Sequence, residues 1–334
     1  MSPFRVPSVT MRPASRSQGG FTLIEMMIAL TIGLAILAGL VGVLATNSGN
    51  SKTNERQAEL MTNGRYAMAS IRAEIREAGF RGYTWAEPST PGALGLVAAD
   101  NECLEGGAAQ EQFVSNIRQG IWGADNTNPF AGSCIPAANY VANTDVLVVR
   151  RLAVQPVADG SLQLNTLYFR SAYERGQVHR TTAGAVVIPS FTGSPTPLAS
   201  FPVQIYVYYI SPFTTSATES PLVPALYRVS LQTDGSMVRE LVASGIEQMQ
   251  VQYGRLTTVP DTQYFDTLTG TSFDASPNSA WDEVNSVRIW LLARNSTPEP
   301  GYVNSQTYQM GNQSYTVNDN FRRQLFTTVV QLRN

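Results

Sequence analysis

Residues 20–45 read GFTLIEMMIALTIGLAILAGLVGVLA, an apolar stretch with a single charged side chain, Glu25. As a helix, the 25 residues from Phe21 to Ala45 would extend about 37 Å at ~1.5 Å per residue, and the hydrocarbon core of a bilayer is ~30 Å thick. Three arginines and no acid precede the stretch, and no basic residue follows it before Lys52. The sequence therefore predicts a membrane-spanning helix with its N-terminus in the cytoplasm and the rest of the chain outside.

Three interpretations of this segment differ in whether, and where, the chain is cut. One is an uncleaved signal anchor, and another is a secretory signal cut after Val43-Leu44-Ala45, although the apolar run exceeds the ~7–15 residues of an ordinary signal core. The third depends on Glu25, because a carboxylate at mid-bilayer costs roughly 2.5–3.5 kcal/mol, and less near the interface. No basic residue lies between Arg16 and Lys52, so we expect the partner of Glu25 to lie outside its own helix.

Residues 20–26, GFTLIEM, resemble the type III signal of type IV pilins and of type II secretion pseudopilins. The resemblance implies that residues 1–20 are a leader, which a prepilin peptidase removes after Gly20 on the cytoplasmic side before the amine of Phe21 is methylated. It also implies that residues 21–45 remain as membrane anchor and filament core. Glu25 would then pair with the N-terminal ammonium of a neighbouring subunit, and such a buried pair can fix axial register.

Residues 46–80 are predicted to continue the helix as an amphipathic segment. The segment is polar almost throughout up to Glu59, and then apolar residues recur every three or four positions. The predicted apolar stripe comprises Leu60, Gly64, Met68, Ile71, Ile75 and Ala78. We expect this stripe to pack on a globular domain and the helix to end near Gly79, the alternative being a helix that lies on a lipid surface.

Residues 81–334 form the predicted β-rich globular domain, outside the cytoplasm. The predicted strands are rich in β-branched and aromatic residues, and several alternate polar with apolar positions, as half-buried antiparallel strands do. They lie at 145–154, 162–170, 203–210, 226–231, 246–253, 284–292 and 324–332, with a hairpin turn at 233–236 (TDGS). No βαβ spacing occurs, so the predicted fold class is α+β: a long N-terminal helix packed on an antiparallel β-rich domain, as in pilins.

Four further stretches resemble the PilW family of minor pilins: 63–67 (NGRYA), 78–82 (AGFRG), 281–294 and 321–334. Many members carry Cys after the second stretch, where this chain has Tyr83, so no disulfide is implied there. The resemblance implies a minor pilin of the type IV pilus that takes part in initiating pilus assembly near the tip, and thus in twitching motility and adhesion. The implied location is the bacterial inner membrane before assembly and the pilus surface afterwards.

The implied partners are the prepilin peptidase, other minor pilins, the major pilin, the inner-membrane assembly machinery and a tip adhesin. A net charge of -2 without a basic cluster argues against nucleic acid. The chain has one His, two Cys and no Gly-rich phosphate loop, so the sequence predicts no metal, no cofactor and no enzymatic activity. Two alternatives stay open: a minor pseudopilin of type II secretion, and, more remotely, a membrane-anchored extracytoplasmic enzyme.

Cys103 and Cys134 lie in the part of the chain predicted to be outside the cytoplasm, where disulfides form. We expect them to pair, the alternative being two unpaired thiols. His179 is expected at the surface, and the aromatic residues of 203–210 in the sheet core. Four acids in a polar span (Asp261, Asp266, Asp274 and Asp282) are interpreted as a solvated loop, with a calcium site as the alternative. Arg322 and Arg323 are expected at a solvated strand start or facing a neighbouring subunit.

Overall fold

The computed structural model describes residues 19–85, 98–107, 113–180, 188–193, 195–258, 261–272 and 279–333. The chain divides into two compact units, Met1–Glu55 and Arg56–Asn334. The predicted α+β fold class is confirmed, since a long N-terminal helix precedes an antiparallel β-rich domain.

The helix α1 spans Leu23–Arg76 and ends three residues before the predicted end at Gly79. Its side chains between residues 23 and 55 are almost all exposed, whereas an apolar stripe between residues 60 and 78 is buried. The stripe is close to the predicted one, but Ala67 is fully buried where Met68 was expected, and Met68 is half-buried. Positions 67 and 68 both fit a spacing of three or four residues between Gly64 and Ile71, so the apolar pattern alone allows either.

The first sheet contains seven strands, and its central strand pairs with three others. They are β1 (Ile121–Ala124), β2 (Val146–Leu152), β3 (Tyr168–Ser171), β4 (Gly176–His179), β5 (Ala199–Ser211), β6 (Ala225–Leu231) and β7 (Met237–Ser244). β5 pairs antiparallel with β2, β3 and β6, which is feasible because its 13 residues serve different partners along their length.

The second sheet has the order β13-β10-β8-β9, and a two-stranded hairpin accompanies it. Its strands are β8 (Ile246–Thr258), β9 (Asp261–Phe265), β10 (Val284–Arg294) and β13 (Arg323–Gln331), and the hairpin is β11 (Thr307–Met310) with β12 (Gln313–Thr316). One continuous core joins α1 to both sheets through the fully buried Ile71, Val148 and Ile289. The second half of the helix therefore packs on the domain, as expected.

Six of the seven predicted strands are present. The strand predicted at 162–170 is shorter, because β3 spans only Tyr168–Ser171. The turn at 233–236 is also present, but its second strand is β7, which the prediction missed. β7 carries charged residues and is largely solvent-facing, so its apolar signal is weak. The other missed strands, β1, β4, β9, β11 and β12, have only four or five residues each.

Candidate processing and assembly site

The predicted cleavage point lies just before α1, in exposed backbone. Gly20 and Phe21 precede the first helical residue, and the Phe21 side chain is 85% exposed. A Cβ added at Gly20 would meet no atom within 4 Å. The fold therefore does not require glycine at position 20, so any requirement for it comes from a molecule that contacts this segment.

Glu25 and Thr22 form a reciprocal set of hydrogen bonds at the start of α1. Glu25 Oε2 accepts from the Thr22 backbone N–H at 2.9 Å and from the Thr22 hydroxyl at 2.8 Å. In return, the Glu25 N–H donates to Thr22 Oγ1 at 3.3 Å. This pattern is a capping box, which satisfies backbone N–H groups that a helix start leaves unpaired.

The capping box gives the Glu25 carboxylate hydrogen-bond partners at the start of α1. Both Thr22 donors are neutral, however, and among the described residues no cation pairs with the Glu25 carboxylate. The carboxylate thus keeps its charge uncompensated while its geometry is fixed. A cation supplied from outside the chain could pair with it without rebuilding the helix start.

The rest of the apolar segment can cross a membrane. Among the described residues, α1 is the one helix that is long and apolar enough to do so. Between residues 21 and 45, the large apolar side chains, such as Leu30, Leu34 and Leu37, are all more than half exposed. Such a surface requires lipid or other apolar helices around it.

The NGRYA stretch joins α1 to both sheets. Asn63 Nδ2 donates to Ser244 Oγ of β7 at 3.1 Å. Gly64 faces Phe326 of β13, and a Cβ built on Gly64 would lie 2.1 Å from Phe326 Cε2. Only glycine allows the helix to approach β13 this closely, while Arg65 and Tyr66 point to solvent.

Directly after α1, the AGFRG stretch packs on β3 and β5. Gly82 has φ +66°, and a Cβ there would lie 2.7 Å from a ring atom of Phe201. Tyr83 packs edge-on against Phe201, with 5.2 Å between ring centroids, and its N–H donates to Ser171 Oγ at 2.8 Å. Tyr83 therefore fills an aromatic contact at the position where many PilW sequences have Cys.

Arg323 is buried inside the domain, which corrects the expectation of a solvated strand start or a subunit contact for that residue, whereas Arg322 is partly exposed. The Arg323 side chain is 1% exposed and forms ion pairs with Glu247 of β8 and with Asp319. Arg322 pairs with Glu299 and lies 4.2 Å from the Tyr302 ring centroid. Burial lowers the pKa of Arg323, but the hydrogen bonds to Asp319 and Glu247 together outweigh it, so the pKa is raised overall. Asp319 is only four residues from Arg323, whereas Glu247 and Glu299 are 76 and 23 residues from their arginines, so the pattern around residue 322 does not reveal these two acids.

A buried arginine that the sequence analysis did not single out binds the carbonyls of Phe113, Gln119 and Ser272. Cys103 and Cys134 are joined in a disulfide, with 4.8 Å between their Cα atoms. Nearby, Arg150 of β2 is fully buried, and its Nε donates to the Phe113 carbonyl at 3.0 Å. Burial lowers the pKa of Arg150 to about 9, an effect that Glu102 and Glu105 oppose. An arginine inside the apolar run VLVVRRL was the available signal.

His179 is buried rather than at the surface, which corrects the sequence expectation. It is 7% exposed and stacks on Tyr168 across the β3–β4 pair, with 5.7 Å between ring centroids. Burial, followed by the nearby positive charge of Arg170, lowers the pKa of His179 to about 4. The aromatic side chains of 203–210 lie in the sheet core as expected, with Tyr208 and Tyr209 fully buried.

The four acids of 261–282 do not form one cluster in the part of the chain that the structure describes. Asp261 is exposed on β9, Asp266 accepts from Gln252 Nε2 at 2.8 Å, and Asp282 pairs with Arg118 at 2.9 Å. Asp274 lies outside the described residues. Within the described ranges, no group of three or more His, Cys, Asp or Glu side chains could hold a metal ion.

Asp145, at the start of β2, is a second buried ionisable group that the sequence analysis missed. Its oxygens accept from the backbone N–H groups of Asn126 at 2.9 Å and Val251 at 2.7 Å. Burial raises its pKa to about 8, and the charges of Asp125 and Asp266 act in the same direction. Asp145, just before β2, therefore joins the segment after β1 to β8 by accepting from their backbone N–H groups.

Two families match the chain. Residues 15–41 match the prokaryotic N-terminal methylation motif, and residues 207–334 match the family described as type IV pilus-assembly protein W, PilW. The resemblance to the PilW family is confirmed. The PilW match begins within β5 and covers the whole second sheet, including the stretches at 281–294 and 321–334. No curated protein and no solved structure gives a significant match.

The methylation motif and the apolar part of α1 together indicate a membrane-anchored pilin. The motif match contains Gly20, Phe21 and Glu25, the three residues predicted to act in processing and assembly. The stretches at 63–67 and 78–82 lie outside both matches. Their close contacts with β13 and β5 give them a structural role in this chain.

Proposed function

We propose that this protein is a minor pilin of the type IV pilus that helps to initiate pilus assembly and lies close to the filament tip. The observation that carries the proposal is the joint occurrence of an N-terminal methylation motif, a long apolar helix behind it and a PilW-type domain. The proposed partners are other minor pilins, the major pilin, the assembly machinery of the inner membrane and a tip adhesin.

In this proposal a prepilin peptidase cuts after Gly20 and the new amine of Phe21 is methylated. The exposed backbone at this bond and the open space around Gly20 support such access. Before assembly, residues 21–45 would anchor the protein in the inner membrane, with the β-rich domain on the periplasmic side. After assembly the same residues would form part of the filament core.

The proposed role of Glu25 is to pair with the N-terminal ammonium of a neighbouring subunit. Thr22 holds the carboxylate with neutral donors, so its charge is available to a cation from outside. In the apolar filament core, an unpaired carboxylate would be costly, which makes the position of the neighbour's ammonium decisive for register.

Mass spectrometry of the mature N-terminus tests the processing step. We expect a methylated Phe21 in the wild type and a retained Arg-bearing leader when Gly20 is replaced by a bulky residue. A mature chain that begins at Thr46 would indicate ordinary secretion, and one that begins at Met1 or Ser2 would indicate a plain anchor. Either result would overturn the proposal.

A deletion strain separates the pilus from type II secretion. We expect surface pili and twitching motility to be lost while exoprotein secretion continues, and complementation with the intact gene to restore the pili. Loss of exoprotein secretion with normal pili would assign the protein to the secretion system instead.

A further inference from the structure

A groove runs between the solvent side of α1 and the edge of the second sheet. It consists of two adjoining depressions of about 510 Å³ each, which share Arg72 and Arg76. Met68, Ala69 and Ala73 form its helix wall, and residues 326–333 form the opposite wall. Both walls belong to the unit Arg56–Asn334, so the groove lies within one compact body.

The sheet wall of the groove is an unpaired strand edge. β13 pairs with β10, and in the described part of the chain no other strand pairs with it. Two flanking bonds show which backbone groups face outward: Asn295 N–H donates to Arg322 O at 3.1 Å, and Leu332 N–H donates to Asn285 O at 2.9 Å. Residues 322 and 332 both bond toward β10, and in an antiparallel pair every second residue does so. The backbone groups of the even-numbered residues of β13 therefore face β10. The outward-facing backbone groups therefore belong to Leu325, Thr327, Val329 and Gln331.

This edge lacks most of the features that usually prevent a further strand from adding, although α1 contacts Phe326 and closes the C-terminal end, where Arg333 N–H donates to Arg76 O at 3.2 Å. Edge strands are commonly protected by Pro, Lys, bulges or short length. β13 has nine residues, contains neither Pro nor Lys, and pairs with β10 without a register shift. Its one charged residue, Arg323, is buried in ion pairs at the far end, while Val329 is 48% exposed.

The rim of the groove is positively charged. Arg65 and Arg72 are seven residues apart on α1, and Arg72 and Arg76 are four apart, so the three arginines lie along one face of the helix. Arg333 lies at the end of the groove that follows β13. All four are exposed, and no carboxylate among the described residues pairs with them. The nearest acids in the sequence, Glu74 on α1 and Glu77 just after it, are already paired with Arg151 at 2.7 Å.

The charge selects the kind of partner. A second copy pairing through its own β13 would bring two sets of these arginines together, and like charges at such distances repel. An extended segment that carries carboxylates would instead be attracted by the rim. Guanidinium groups also bind carboxylates with two parallel hydrogen bonds, which adds directional specificity.

We propose that this groove binds an extended, acidic peptide segment of a protein partner by adding it as a strand to β13. The backbone of the segment bonds to the outward-facing groups of Thr327, Val329 and their odd-numbered neighbours. Its carboxylates contact the rim arginines, and its alternate side chains lie against Met68 and the two alanines. Insertion between a helix and an edge strand is an established mode of peptide recognition, in which backbone bonds supply affinity and side-chain contacts supply specificity.

Peptide binding to the purified full-length protein in detergent tests the proposal. The probe is a fluorescent peptide that alternates Glu with Val, and the control is the same peptide with Lys in place of Glu. We expect the Glu peptide to bind at least about tenfold more tightly, with an affinity that falls as salt is raised. Equal binding of both peptides, or dimerisation of the chain that excludes the Glu peptide, would overturn the proposal.

Hydrogen exchange locates the bound strand. On addition of the Glu peptide, the amides of Thr327, Val329 and Gln331 should exchange more slowly, whereas that of Thr328 is already protected by β10 and should change little. Protection confined to other strands would contradict the proposed site.

Two variants with matched controls separate charge from backbone pairing. The double variant Arg72→Glu/Arg76→Glu should weaken Glu-peptide binding by at least about tenfold, and Arg175→Glu in the β3–β4 turn should leave it unchanged. Val329→Pro removes one outward N–H without removing a bond to β10, so it should weaken binding by roughly three- to tenfold. Val329→Ala keeps that N–H and should bind within about twofold of wild type. If Val329→Pro fails to fold, the exchange of Thr327 and Gln331 in the wild type decides the question.

Discussion

The contact between Gly64 and Phe326 gives the most direct test of how α1 packs on the domain. A Cβ on Gly64 would lie 2.1, 2.5 and 2.7 Å from three atoms of the Phe326 ring. Carbon atoms in contact are ~3.5–4.0 Å apart, so the helix or the ring must move by more than ~1 Å. Overpacking of this severity costs about 3 kcal/mol.

The net effect of Gly64→Ala is smaller than the clash alone. Alanine is more favourable than glycine in a helix by ~1 kcal/mol, which leaves a net loss of about 2 kcal/mol in the free energy of unfolding. For a domain of this size, that corresponds to a decrease in Tm of roughly 4–8 °C. Thermal unfolding of the full-length protein in detergent, followed by tryptophan fluorescence, measures the shift, because Trp122 and Trp281 are buried.

Two controls make the Gly64 experiment specific. Gly49→Ala places the same substitution in the same helix at a position with nothing within 4 Å, so it should not lower Tm. Trimming the ring with Phe326→Leu should relieve part of the clash, so the double variant should be more stable than the sum of the two single effects by at least ~1 kcal/mol. Strictly additive effects, or an unchanged Tm for Gly64→Ala, would refute the close packing of α1 on β13.

Three further predictions concern charged and covalent features. Glu25→Gln keeps an oxygen that can accept from Thr22 but removes the charge, so leader cleavage should continue while incorporation into pili fails; normal incorporation would exclude the ion pair. Because the pKa of Asp145 is raised to about 8 in the folded state, the folded state binds the extra proton, and its contribution to the free energy of unfolding should decrease as pH rises from about 4 to about 8. Urea titrations of wild type and Asp145→Asn should show that decrease in their difference, and a pH-independent difference would contradict it. Replacing Cys103 and Cys134 by Ala should lower the free energy of unfolding by roughly 3–4 kcal/mol, and the same Tm with and without the bond would contradict this expectation.

The sequence predicted those parts of the fold whose signal is local. The apolar run of α1, the buried stripe from Leu60 to Ala78 and the longer strands all show their period within one window of residues. Strands such as β4 and β12 were missed because four residues without apolar alternation resemble a loop. Such strands form because neighbouring strands supply their hydrogen bonds, which one stretch of sequence cannot show.

Whether an individual polar residue is buried was harder to predict for the same reason. His179 is buried because β3 places Tyr168 beside it, and Arg323 is buried because β8 supplies Glu247, to which the nearby Asp319 adds a second ion pair. In each case the deciding partner is brought close by sheet pairing. The N-terminal residues Gly20, Phe21 and Glu25 could be singled out beforehand because their motif is contiguous in the sequence.

The glycines show how internal and external requirements can be separated. A side chain at position 64 would collide with Phe326, so the fold itself accounts for Gly64. A side chain at position 20 would meet nothing within 4 Å, so the fold leaves Gly20 unexplained. The same distinction applies to arginines: Arg323 has its partners within the chain, whereas Arg65, Arg72 and Arg76 have no acidic partner among the described residues. Gly20 and the three arginines are thus not accounted for by contacts within the fold, and the proposed cleavage site and the groove beside β13 are surfaces where contact with other proteins is expected.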